Sequence, residues 1–251
     1  SYVGKSMHQL YSASHYEYAP EGSTYTDENG NQVDCSGMQI INAKTGYPLL
    51  TKETDSKKFE HLGSVIPDWK AGFGTTFRYK TLSLSAQFTA QVGGVAYSVT
   101  NFALSYQGKL KNSLAGRDDG LVLQGVNAVD NGDGTVSYQK NTAVTENIYT
   151  YYQSYKWVRD NGRENTFSTD FLKFKELRID YQLPKHLMAK TRFLQGASIG
   201  FFATNLFCIT DWPQFDPEAA GLVNGTNIYP GIETVTFPMT RTYGINIKLQ
   251  F

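Results

Sequence analysis

The four histidines, His8, His15, His61 and His186, are scattered and lack the paired spacing that a metal site requires. Serines and aspartates occur without the nucleophile-elbow pattern of a hydrolase. The glycine pair Gly72 and Gly74 lies inside a strand pattern, where close backbone approach explains it better than phosphate binding. Asp27, Asn29 and Asn31, and later Asp130 and Asp133, resemble calcium ligands in type, but neither stretch has the loop glycine and bidentate glutamate at the required spacing, so both read as turns. Cys35 and Cys208 are far apart and fit no redox or metal motif. The expectation is a chain without a catalytic centre, metal or cofactor. The chemistry left is recognition through aromatic faces in polar loops, which can stack on sugar rings or peptide side chains: Trp212, Phe215, Tyr229, Tyr151 and Tyr152 are the candidates. Packing of the loops or a place in an interfacial girdle are the competing roles for each. Asp216 and Glu218 read as residues that structure their loop.

The elements that would carry these loops are strands. In Tyr243–Phe251 the side chains of Tyr243, Ile245, Ile247, Leu249 and Phe251 share one face, while Gly244, Asn246, Lys248 and Gln250 share the other. About nine to eleven such residues, tilted, cross a bilayer as one barrel strand, although a soluble edge strand can show the same pattern. Trp69–Tyr79 and Leu82–Val92 alternate strictly across a tight turn at Lys80-Thr81. Eleven residues in each arm exceed the five or six usual in globular sheets. Phe171–Leu183 places Leu177, Ile179, Tyr181 and Leu183 on one face and is stopped by Pro184; Ala197–Ile209 follows, and Gly4–Tyr18 is read as a further, poorly alternating strand.

Composition agrees with an all-β class: 17 tyrosines, 15 phenylalanines and 23 glycines suit strands, turns and aromatic girdles. The net charge of zero gives no field for nucleic acid. A transmembrane helix is excluded by the absence of a long apolar run, but a barrel hides its lipid face in alternation.

The connections between the six strands run long (19–66), short (80–81), long (93–165), short (184–196) and long (210–240). Outer-membrane barrels alternate in this way, with short periplasmic turns and long outer loops. That pattern directs the last strand inward, with Phe251 at the periplasmic end. Six strands are too few to close a barrel, for which about eight are needed, so the sheet is expected to continue into strands outside this sequence.

Several stretches, in order, resemble the C-terminal third of the SusC/RagA-like TonB-dependent transporters of the Bacteroidetes outer membrane. They are the IPDW segment with its following hairpin, GRDDG…GVN, DFLKFKELRIDYQLPKHL, GASIGFFATNLFCITDWPQFDPE and RTYGINIKLQF. The resemblance implies a barrel of about 22 strands with a plug in its lumen, of which residues 1–251 form a C-terminal segment lacking the plug, the TonB box and the earlier strands. It implies import of oligosaccharides or peptides driven through TonB, a SusD-like lipoprotein as lid, and the rest of the transporter as partner. It also implies an integral outer-membrane location with extracellular loops and a periplasmic C-terminus. Tyr243, Ile245, Ile247, Leu249 and Phe251 resemble the C-terminal signal read by the barrel-assembly machinery. A surface-display or adhesive barrel, and a soluble β-sandwich binding module, are the alternatives.

Overall fold

The hairpin expected around Lys80-Thr81 is present in the computed structural model, which describes residues 6–188, 193–219, 231–235 and 237–251. Its arms are β1 (Trp69–Tyr79) and β2 (Leu82–Val92), paired from Trp69 opposite Val92 to Tyr79 opposite Leu82. Lys80 adopts the left-handed conformation, φ 53°, that so short a turn demands. β3 (Phe171–Gln182), β4 (Gly196–Thr210) and β5 (Thr242–Gln250) complete an antiparallel five-stranded sheet in the order β5-β4-β3-β2-β1. The fold is all-β in character, and the sheet is open, with β1 and β5 at its edges.

Register converts the alternation of each strand into two continuous walls. Phe77, Leu84, Ile179, Phe201 and Ile245 stand side by side across all five strands, and Tyr79, Leu82, Tyr181, Ile199 and Ile247 form the next row. Phe73, Phe88, Phe174 and Phe207 make a third row whose ring centroids are 4.8, 4.4 and 5.5 Å apart in succession. The opposite wall carries Arg78, Ser83, Arg178, Asp180, Ser198 and Lys248. Arg178 and Asp180 pair through an Nε to Oδ2 contact of 2.7 Å. On this wall the Phe202 ring covers Gly244, where an added Cβ would come within 2.3 Å of the ring.

The alternation of FLKFKELRIDY changes phase part-way, with Leu172 and Phe174 on the apolar side before Lys175 but Leu177 and Ile179 after it. A β-bulge between Phe174 and Glu176 absorbs the shift and keeps both halves of the apolar wall on one side. On β4 the irregular stretch contains Asn205 at φ 53°, a conformation that asparagine tolerates better than most residues. The Asn205 amide donates to the Thr240 carbonyl at 3.0 Å, fixing the approach to β5.

The strand expected at Gly4–Tyr18 does not join this sheet. Residues 4 and 5 lie outside the described residues; the rest forms Gln9–Ser12 and Ser14–Tyr16, which pair with Glu60–Ser64 and Leu50–Lys52. The physical reason is chemical. Ser12 and Ser14 are buried where a lipid-facing or core strand needs apolar side chains, and the Ser12 hydroxyl bonds the Asp160 carbonyl at 2.9 Å and accepts the Gly162 N–H at 2.9 Å. Among the described residues the sheet therefore has five strands in place of the expected six.

The chain divides into two compact units, one of Ser1–Gly63 with Tyr97–Thr166, the other of Ser64–Ala96 with Phe167–Phe251. What reads in sequence as two long loops is thus a folded unit with its own cores. One core packs Tyr47, Tyr151, Tyr152 and Trp157; a second packs Ala19, Cys35 and Val126. The Thr24–Thr26 and Gln32–Asp34 strands meet at the Asn29-Gly30 turn, where Gly30 takes φ 83° and the Asp27 carboxylate accepts the N–H groups of Asn29 and Asn31. The Val126–Asp130 and Val136–Lys140 hairpin closes in the same way, through Gly132 N–H to Asp130 and Thr135 N–H to Asp133. A helix, Val99–Tyr106, was not legible in the sequence. It is eight residues long, and its clearest signal is Ser98, whose hydroxyl caps the Asn101 N–H at 3.0 Å.

Candidate functional site

The segment after β4 folds over the polar side of the sheet, because its acids are held by a lysine of β3. Lys173 has polar-wall parity and a side chain only 2% exposed. Its ammonium pairs with Asp216 and, at 2.6 Å, with Glu218, whose other oxygen lies 3.2 Å from Lys175. The Glu218 N–H donates to Asp216 Oδ1 at 2.9 Å, so the two acids also fix each other. Burial by itself lifts the Glu218 carboxyl, but hydrogen bonding and charge from Lys173 and then Lys175 outweigh it and hold the group below its usual range. At the upstream end the Thr210 hydroxyl donates to the Asp170 carbonyl at 2.6 Å, and Trp212 is buried edge-on to Phe167 at 6.1 Å. Residues 210–218 form a strap pinned at both ends.

Phe215 sits between those pins. It is 49% exposed and has φ 63°. A bulky side chain in that region costs of order 1–3 kcal/mol and persists only where the surroundings over-determine it. Beside the strap, Pro217 and Glu218 border a cavity of about 320 Å³ whose floor includes Lys70, Gln91, Thr169 and Phe171. Gln91 is fixed there by bonds from its amide to the Thr169 carbonyl and hydroxyl, at 3.1 and 2.8 Å.

The residues named from sequence separate. Phe215 presents an aromatic face, and Trp212, three residues away, is buried. Tyr151 and Tyr152 belong to the other unit and are buried in its core, with the Tyr152 ring stacked on Trp157 at 4.7 Å and its hydroxyl bonded to the Ala115 carbonyl at 2.8 Å. Their faces are used in packing. Tyr229 lies outside the described residues. Tyr243, Ile245, Ile247 and Leu249 line the apolar face of β5, Ile245 being 72% exposed, and Phe251 follows the strand end with its ring 6.5 Å from that of Phe193. Lys173 was missed by sequence reasoning, and the available signal was a lysine at polar parity in the same chain as an acidic FDPE stretch.

No family model matches the chain, and no curated protein matches it. Solved structures do. A chain of the RagAB peptide importer in its closed-closed state matches 96% of this chain at 20% identity with a TM-score of 0.57. The open-open state of that importer matches 94% at 19% identity and 0.55, and a further RagAB peptide transporter structure matches 95% at 20% identity and 0.54. The chain shares their fold. It spans 23–25% of the length of those chains.

One half-buried acid in the first unit gives a pH dependence. Glu164, on the Gly162–Asn165 turn, is pushed above its usual range by burial, opposed mainly by Lys156 and by the Tyr16 hydrogen bond. A carboxyl that binds its proton more tightly when folded penalises folding above its folded value, and the penalty is relieved as pH falls. Glu164→Gln is expected to raise the melting temperature at pH 8 and leave it unchanged at pH 4; an equal change at both values contradicts the assignment.

Proposed function

We propose that this chain is a wall segment, with its outer loops, of an outer-membrane importer of small peptides, oligosaccharides being the second solute class. The observation that carries the reading is the exposed apolar wall. From Trp69, 51% exposed, to Tyr79, 60% exposed, β1 takes ten steps, roughly 34 Å along the strand or about 24 Å of depth at a tilt near 45°. That depth equals the apolar band of an outer-membrane barrel, about 25 Å, and it ends on aromatic residues as such bands do. A contiguous apolar face of this extent is foreign to the water-facing surface of a soluble monomer. Both edge strands offer unpaired backbone, which a barrel satisfies by continuing the sheet.

In this reading residues 1–251 are a C-terminal part of a larger transporter whose plug and remaining strands supply the TonB contact. A SusD-like lipoprotein covers the outer mouth, the long loops are extracellular, and β5 ends at the periplasmic face. No catalytic step is assigned. The fold likeness to peptide-importer chains supports peptides as the first solute class. The compact first unit also suits a surface-display barrel, and uptake separates the two. In cells carrying the intact gene, the protein is expected in the detergent-extracted outer-membrane fraction, and its deletion is expected to abolish uptake of a labelled casein digest. Recovery in the soluble fraction overturns the membrane reading; membrane recovery with unchanged uptake favours display.

A further inference from the structure

We infer that Phe215 is a solute-contact residue, offering its ring to an apolar side chain of a peptide, and that Lys173 is the residue that positions it through Asp216. The inference rests on the importer reading above. Three observations converge. Phe215 is the exposed aromatic of the strap, with buried Trp212 on one side and buried, ion-paired Asp216 on the other. Its backbone is held at φ 63°, where glycine is at home and phenylalanine is strained, so the ring is retained there against a local cost. The strap is held on the polar side of the sheet, since Asp216 and Glu218 pair with Lys173 and Pro217 and Glu218 border the cavity above Lys70 and Gln91, so the segment that carries Phe215 is anchored away from the apolar wall.

The chemistry of the surroundings selects the ligand. Phenylalanine has no hydroxyl or N–H with which to bond a sugar, and Trp212 and its indole are buried. An apolar side chain stacks on such a ring, while the partly exposed Lys175–Glu218 pair at the end of the strap, 3.2 Å apart, presents a polar rim to a peptide backbone. Pinning at both ends keeps the ring from collapsing onto the sheet when no solute is present, so binding need not pay to order it.

The test uses the whole protein as its gene encodes it, purified in detergent, and a tryptic digest of casein as probe, with retained peptides quantified by mass spectrometry. Phe215→Gly is expected to lower retention of peptides rich in apolar residues about tenfold, the worth of one aromatic contact, while the melting temperature is unchanged or raised because the strain is gone. Phe215→Trp is expected to restore retention. Lys173→Arg, which keeps the ion pair, is expected to retain peptides, and Lys173→Met to lose them. A Phe215→Gly protein that melts lower and retains peptides normally overturns the inference and leaves the importer reading intact. Wild-type protein that retains maltodextrins but no peptide overturns both the peptide reading and the inference.

Discussion

Lys173→Met is expected to destabilise the folded protein by about 3–5 kcal/mol, the cost of leaving a buried charge without its partner. The reason is the asymmetry of the network. Glu218 keeps Lys175 when Lys173 is lost, but Asp216, 7% exposed, has no second ammonium among the contacts described. Asp216→Asn should cost less, because Lys173 still pairs with Glu218. Replacing both Lys173 and Asp216 with apolar residues of similar size should recover part of the loss, since two desolvated charges disappear together. Urea titration of the detergent-solubilised protein measures these differences, with the buried Trp212 as reporter of the strap; a loss below about 1 kcal/mol for Lys173→Met would mean that the pair behaves as a solvent-screened surface bridge. The pH sign follows from Glu218. Its folded value is depressed, so its contribution is present above the unfolded carboxylate range and lost as pH falls through the folded value, loosening the strap in acid.

Phe201→Arg carries the second large effect, expected at about 2–3 kcal/mol in a bilayer, for a cation placed on the lipid face part-way toward the midplane. Phe201 stands between Ile179 and Ile245 in the row that crosses all five strands, so an arginine there has no polar neighbour on its wall. Asn246→Arg, one residue along β5 from Ile245 and on the other wall, is the matched control and should cost less than about 1 kcal/mol. The comparison is made on protein refolded into lipid vesicles and titrated with urea. Equal costs for the two substitutions would show that the two walls meet the same medium and would remove the membrane assignment. This test is independent of the strap, because neither residue touches it.

The two predictions draw on different kinds of information. Phe201 and Asn246 could be assigned to opposite walls from the sequence, because the period of two in ASIGFFA and YGINIKLQF is a local property of the chain. The same holds for the long hairpin, whose two-residue turn at Lys80-Thr81 fixes its register, and for the turns at Asn29-Gly30 and Asp130–Gly134, whose carboxylates bond backbone only a few residues away. Local chemistry thus determined an all-β chain with four regular strands and a terminal strand, one apolar wall and one polar. It did not determine what buried serines would do: Ser12 and Ser14 sit in an aromatic stretch that looks like a strand for the sheet, and their bonds to Asp160 and Gly162, more than a hundred residues away, draw them into the other unit. Nor could it separate Tyr151 and Tyr152 from Phe215, since all are aromatic residues in polar stretches, and whether a ring faces a core or a solute depends on which distant residues surround it. Lys173 is the sharpest case. Its partners lie 43 and 45 positions along the chain, and only the pairing of β3 with β4, which returns the FDPE stretch to the polar side of the sheet, brings the three charges together. Sequence periodicity fixes the face on which a side chain leaves its strand; the meeting of residues far apart in the chain is decided by strand order and loop closure, which have no local signature.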